Sequence, residues 1–110
     1  MTDCAFVEAM ATELMQRCRQ VGISVLSKKM AHMSTTPYAQ LWVGDPCAPG
    51  LPAPKWSCYI DITNFDIIIT VSVFDLKIIS FEATDPEFVP DDKIDDCIKM
   101  VLKERDRHES

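Results

Sequence analysis

Glycine is scarce in this chain of 110 residues, which contains only 3 of them. Phosphate-binding loops need several glycines so that backbone amides can approach the phosphate, and no GxGxxG or P-loop motif is present. The nucleophile elbow GxSxG and the zinc motif HExxH are absent as well. The sequence therefore predicts no catalytic residue, no cofactor and no metal ligand, and we expect a protein that is not an enzyme.

Cysteine pairs of the CxxC type are also lacking, although the chain has 5 cysteines. This spacing excludes a zinc ribbon and a thioredoxin-type motif. Cys4 and Cys18 fall on one predicted helix and would lie about 21 Å apart at ~1.5 Å per residue, too far for a disulfide. Five reduced thiols are typical of a reducing compartment, which predicts a cytoplasmic protein.

Long hydrophobic runs and basic charge are both missing. The longest apolar stretch, 67–74, is interrupted by Thr70 and Ser72 and is far shorter than the ~20 residues of a membrane-spanning helix. Lys and Arg number 11 against 17 Asp and Glu, a net charge of -6. Because nucleic-acid binders carry the opposite sign, we expect no direct nucleic-acid binding and no membrane association.

Hydrophobic periodicity predicts a single α+β domain over residues 1–110. Apolar residues spaced by three or four indicate an N-terminal helix over 3–21 and a C-terminal helix over 91–107. Strands are predicted at 23–26, 38–43, 56–63, 66–74 and 76–83, with 28–37 either continuing the first strand or forming a loop. The prediction is a four- to five-stranded antiparallel meander flanked by the two helices (α-β-β-β-β-β-α).

Two details of the packing follow from composition. The stretch 66–74 is richest in β-branched residues, which places it at the centre of the predicted sheet. We favour both helices on one face of the sheet, although a central strand that is apolar on both sides leaves opposite faces as the alternative.

An acidic segment is the most distinctive feature. Residues 82–96 carry seven acidic side chains and one basic one, and the rest of the chain has ten of each sign. The acidic residues are Glu82, Asp85, Glu87, Asp91, Asp92, Asp95 and Asp96. Helix capping explains Asp91 and Asp92, whereas an acidic surface that meets a basic partner would explain them all. Repulsion within Asp91/Asp95 and Asp92/Asp96 would be opposed in part by Lys93 and Lys99.

A second candidate contact surface surrounds the loop 45–54, which has four prolines and is flanked by two tryptophans. Trp42, Cys47 and Trp56 form this surface if the rings are exposed, because tryptophan is common at interface hot spots. If both rings instead pack beneath the loop, they belong to the core.

These observations favour a small acidic protein-binding module that docks on a basic site of a partner protein; nucleic-acid-binding proteins are one class with such a site. Immunity proteins, antitoxins and phage-encoded anti-defence proteins are stoichiometric inhibitors with this size and charge. The alternatives are a structural or accessory subunit that forms a homodimer, and a small enzyme whose pocket the sequence does not reveal.

Overall fold

The computed structural model describes residues 2–33, 36–45, 54–72, 75–82 and 89–109. Two helices enclose five strands in chain order. They are α1 (Thr2–Gln20), β1 (Ser24–Met33), β2 (Thr36–Gly44), β3 (Ser57–Ile62), β4 (Asp66–Ser72), β5 (Asp75–Ser80) and α2 (Asp91–Glu109). The strands form one sheet in the order β1-β2-β3-β4-β5, and every neighbouring pair is antiparallel. The predicted α-β5-α meander is confirmed.

Helix α1 ends two residues before Gly22, which begins the turn into β1. Gly22 has φ +83°, in the left-handed region that glycine enters without steric cost. The amide of Ile23 donates to the carbonyl of Cys18 at 2.8 Å, and the amide of Gly22 donates to that of Arg19 at 3.2 Å. These two bonds form a Schellman motif, which turns the chain from the helix into β1.

Strand β1 is longer than the predicted 23–26. It continues through the polar stretch to Met33 and pairs with β2 along this length, apart from a bulge between Val25 and Ser27. The interpretation of 28–37 as a strand continuation is therefore correct up to Met33. Pairing with β2 determines that this polar stretch forms a strand, because strand propensity is weak and depends on context. Lys28 and Lys29 suit a sheet edge, where charged side chains discourage further pairing.

The β-branched stretch does not lie at the centre of the sheet, so the position predicted from its composition is wrong. It forms β4, which lies between β3 and the edge strand β5, and β3 is the central strand. A meander fixes strand order by chain order, so hydrophobicity does not select the central position. Residues 73 and 74 of the predicted strand lie outside the described residues.

Both helices cover the same face of the sheet, which confirms the favoured arrangement. Helix α1 packs over β1, β2 and β3, α2 packs over β4 and β5, and the helices also contact each other. Alternate strand residues point into this layer, and the register aligns Leu41, Ile60 and Ile69 across three strands. They join Leu14 and Ile94 of the helices in one hydrophobic core.

Candidate functional site

The opposite face of the sheet has no helix on it in the described part of the chain. We call it the open face. Its side chains from β2 to β5 include Gln40, Trp42, Tyr59, Asp61, Ile68, Thr70, Leu76 and Ile78, set by their alternation with buried neighbours. A two-layer domain that covers only one sheet face leaves the other to solvent or to a partner.

Large apolar side chains are exposed on this face. The exposed fraction is 43% for Tyr59, 53% for Leu76 and 62% for Ile78. Tyr59 stacks on Trp42 with ring centroids 6.0 Å apart and an interplanar angle of 13°. Because Thr70 lies opposite both Tyr59 and Leu76 in register, these side chains form a continuous patch. Contiguous apolar patches on soluble domains mark interaction surfaces.

A cavity of 490 Å³ opens at one end of this face. Its described lining includes the aromatic residues Tyr38 and Phe65, the acidic residues Asp61 and Asp66, and Gln40. Gln40 Nε2 donates to Asp61 Oδ1 at 3.0 Å. Burial raises the pKa of the Asp61 carboxyl, and the Gln40 hydrogen bond offsets part of that rise. We call this site the Asp61 cavity.

The turn between β3 and β4 shapes the cavity. Thr63 Oγ1 accepts hydrogen bonds from the amides of Phe65 and Asp66 at 3.2 and 3.1 Å, and donates to Asp66 Oδ1 at 2.6 Å. A side-chain oxygen that bonds backbone two and three residues on fixes a tight turn. The turn holds Phe65 at the rim of the sheet with 53% of its surface exposed.

The acidic segment is only partly available as a surface. Glu82, Asp91, Asp92, Asp95 and Asp96 are exposed. Asp85 and Glu87 lie outside the described residues. The segment begins beside the Asp61 cavity, because the amide of Phe81 donates to the carbonyl of Phe65 at 2.9 Å and Glu82 follows directly.

Arg17 of α1 bridges one of the two repelling aspartate pairs. Its guanidinium lies 2.5 Å from Asp91 Oδ1, 2.7 Å from Asp95 Oδ1 and 2.9 Å from Glu13 Oε1. The counter-ion that contacts this pair is therefore on the other helix, whereas Lys93 and Lys99 make no ion pair with a described residue. Arg17 thus joins the two helices through Asp91 and Asp95.

The side chains of the other pair, Asp92 and Asp96, make no ion pair or hydrogen bond within the described ranges. At the start of α2 the carbonyl of Pro90 accepts the amides of Lys93 and Ile94 at 3.0 and 3.1 Å. Asp92, in the first turn, is favourably placed relative to the helix dipole. Asp92, Asp96 and Glu82 are consequently the described carboxylates of the segment that remain open to a partner.

The three residues of the second candidate surface are not brought together. Trp56 is 3% exposed and belongs to the core on the helix-covered side. Trp42 is half-buried on the open face, where it stacks on Tyr59. Cys47 lies outside the described residues. The tryptophans point to opposite faces because Trp56 alternates in phase with Cys58, whereas Trp42 lies opposite Tyr59 in register.

Sequence reasoning missed the open face. The alternation in 57–62 does predict it, since inward Cys58, Ile60 and Ile62 leave Tyr59 and Asp61 on the other side. The run of isoleucines in β4 hid this signal, because Ile68 faces outward between two inward isoleucines. A strand that is apolar on both sides does not reveal which side is covered.

Three thiols, Cys18, Cys58 and Cys97, are buried in the core. Burial raises the pKa of Cys18 to about 11 and that of Cys58 to about 12, and it raises the pKa of Cys97 well above the ordinary value. Among the described residues no group of three or more His, Cys, Asp or Glu side chains is arranged to hold a metal ion. These cysteines act as small core residues.

Alkaline pH is expected to destabilise the fold through these thiols. Unfolded cysteine ionises near pH ~8.5, so above that pH the unfolded state binds fewer protons than the folded state. Stability should therefore be unaffected by the thiols below pH ~8.5 and should fall as pH rises towards ~12. Urea unfolding of the wild type and of Cys58→Ala at several pH values measures this. Equal pH slopes in the two proteins would contradict it.

No protein-family model, curated protein or solved structure matches this chain significantly. Neither of the two described helices is long and apolar enough to cross a membrane. The surfaces of the fold are therefore the features that point to a function.

Proposed function

We propose that this protein is a small acidic binding module that acts by stoichiometric occupation of a basic site on a partner protein, as inhibitor proteins of the immunity, antitoxin or anti-defence type do. The observation that carries the proposal is the open face: helices cover one side of the sheet, and the other exposes a continuous apolar patch that includes Tyr59, Leu76 and Ile78. Apolar contacts supply the affinity of such a complex.

Charge has a separate role in this proposal. The protein carries a net charge of -6, and Glu82, Asp92 and Asp96 are exposed. Exposed charges of one sign accelerate association with an oppositely charged partner more than they strengthen the complex. Salt should consequently slow association and have a smaller effect on dissociation.

The test begins with capture of partners from lysate of the source cells by the tagged protein, at low and at moderate salt, followed by affinity measurement with the purified partner. We expect Ile78→Asp to weaken binding at least tenfold because it places a charge in the apolar patch. Val21→Asp is the matched control, since Val21 is also an exposed aliphatic residue, 38% accessible, and lies outside the open face. Equal affinity of the two variants would contradict the proposal.

The acidic contribution is tested with Asp92→Asn/Asp96→Asn. We expect slower association and a weaker salt dependence, with the fold unchanged. Asp91 and Asp95 are left intact because their replacement would also break the Arg17 contacts between the helices. An association rate and salt dependence equal to those of the wild type would show that these two carboxylates do not steer binding.

The alternative function, a homo-oligomeric structural subunit, is favoured by one observation. Leu76 and Ile78 lie on β5, which is an edge strand, so a second copy could cover both the edge and the open face. Light scattering on the purified protein decides between the two. A dimer that is insensitive to salt and dissociates in Ile78→Asp would establish the subunit role, whereas a wild-type monomer would exclude it.

A further inference from the structure

We propose that the Asp61 cavity binds an arginine side chain of the partner protein. This inference rests on the proposed function and specifies the chemistry by which the open face recognises its partner. The juxtaposition behind it is two aspartates and two aromatic residues that line one 490 Å³ cavity.

The carboxyl groups provide acceptors for a cation. Asp61 and Asp66 each use Oδ1 for a hydrogen bond inside the protein, to Gln40 and Thr63 respectively. Their Oδ2 atoms have no hydrogen-bond partner among the residues that the structure describes. Neither carboxyl group makes an ion pair there, and the described cavity wall contains no Lys, Arg or His.

The nearest cation in register is Lys29, opposite Gln40 on the edge strand β1. It is exposed and makes no ion pair with Asp61. Asp61 is half-buried, and its raised pKa shows that burial disfavours the charged form more than Gln40 stabilises it. A cation from outside the chain would restore the charge compensation that this carboxylate lacks.

The rings distinguish the kind of cation. Tyr38 and Phe65 line the cavity with aromatic rings, a class of side chain that attracts organic cations and is a poor ligand for metal ions. A guanidinium group is planar, stacks on aromatic rings and donates through five N–H groups, two of which can reach one carboxylate. An ammonium group lacks both the planar face and the paired donors. The hydrogen-bonded turn at Thr63 holds Phe65 in place before any ligand arrives, which lowers the entropic cost of binding.

The test uses a small probe, N-acetyl-arginine methylamide, titrated into the isotope-labelled protein and followed by NMR. We expect saturable shifts of the Gln40 side-chain amide and of the backbone amides of Phe65 and Ile68, with a dissociation constant of about 1 mM for a contact of this size. The citrulline analogue has the same shape without the charge, and we expect no saturation with it. Equal shifts with both probes would overturn the proposal.

Matched variants separate the site from general charge effects. Asp61→Asn keeps the Gln40 hydrogen bond and removes one charge; we expect it to weaken arginine binding at least tenfold. Glu8→Gln removes the same charge from an exposed position of α1, on the other side of the sheet, and should change binding less than twofold. Phe65→Ala, at an exposed turn position, should also weaken binding of the probe at least fivefold. Equal losses in Asp61→Asn and Glu8→Gln would show non-specific attraction and overturn the assignment.

The same variants distinguish failure of this site from failure of the proposed function. If Ile78→Asp weakens partner binding while Asp61→Asn leaves both the probe and the partner unaffected, the open face binds a partner but the cavity takes no arginine. The opposite result is that Asp61→Asn abolishes binding of the probe, whereas Ile78→Asp and Val21→Asp bind the partner with equal affinity. In that case the cavity is a cation site, and the apolar patch is not the docking surface.

Discussion

Ile69→Asp is expected to abolish cooperative folding. Ile69 is 1% exposed and lies on β4 opposite Ile60, on the face that both helices cover. Truncation of a buried isoleucine costs about 2–5 kcal/mol, and burial of an unpaired carboxylate adds several kcal/mol more. The sum approaches the whole stability of a small domain, about 5–15 kcal/mol. Loss of the thermal transition by circular dichroism and of dispersed amide signals by NMR would show this result.

Ile78→Asp is the matched control for that experiment. It makes the same chemical change in the neighbouring strand, but Ile78 faces away from the helices and is 62% exposed. We expect a cost below about 1 kcal/mol, as for most surface substitutions. A folded Ile69→Asp protein, or an unfolded Ile78→Asp protein, would mean that the covered and open faces have been assigned the wrong way round.

Gly44→Ala is expected to have the second largest effect on stability. Gly44 is the last residue of β2 and lies opposite Ser57 of β3. A Cβ atom at this position would stand 2.8 Å from Ser57 Cα and would overlap the carbonyl oxygen of Trp56. Both are backbone atoms, so a side-chain rotation cannot relieve the clash. That carbonyl also accepts the amide of Asp45 at 3.1 Å.

We expect Gly44→Ala to lose about 3 kcal/mol, at the upper end of what overpacking costs, and its melting temperature to fall by about 15 °C for a domain of this size. Gly22→Ala is the control, because a Cβ there meets nothing within 4 Å and only the positive φ is unfavourable. That strain costs about 1 kcal/mol. A melting temperature of Gly44→Ala equal to or above that of Gly22→Ala would contradict the close approach of β2 and β3 at Gly44.

The local pattern of the sequence contains most of the secondary structure. The three- and four-residue spacing in α1 and α2 and the short turn between β3 and β4 predict the element order and the antiparallel meander, because these features depend on neighbours in the chain. The limits of β1 are the exception. Its polar residues become strand only through pairing with β2, which is a contact that local propensity does not encode.

The candidate site shows the same division between local and tertiary information. Composition alone identifies the acidic segment, since charge is additive along the chain. Which of its carboxylates remain open to a partner depends on Arg17, which reaches Asp91 and Asp95 from the other end of the sequence. The two tryptophans likewise flank one loop in sequence but lie on opposite faces, because strand alternation and register set their directions.

The sequence by itself determined the element order, the antiparallel pairing and the excess of acidic charge, all of which follow from local periodicity and composition. Only the tertiary structure decided that both helices share one face, because a strand such as β4 carries isoleucines on both sides and either side could have been covered. That choice exposes Tyr59, Leu76 and Ile78 and places Asp61 beside Tyr38 and Phe65. The proposed binding surface exists because the two helices cover one side of the sheet only.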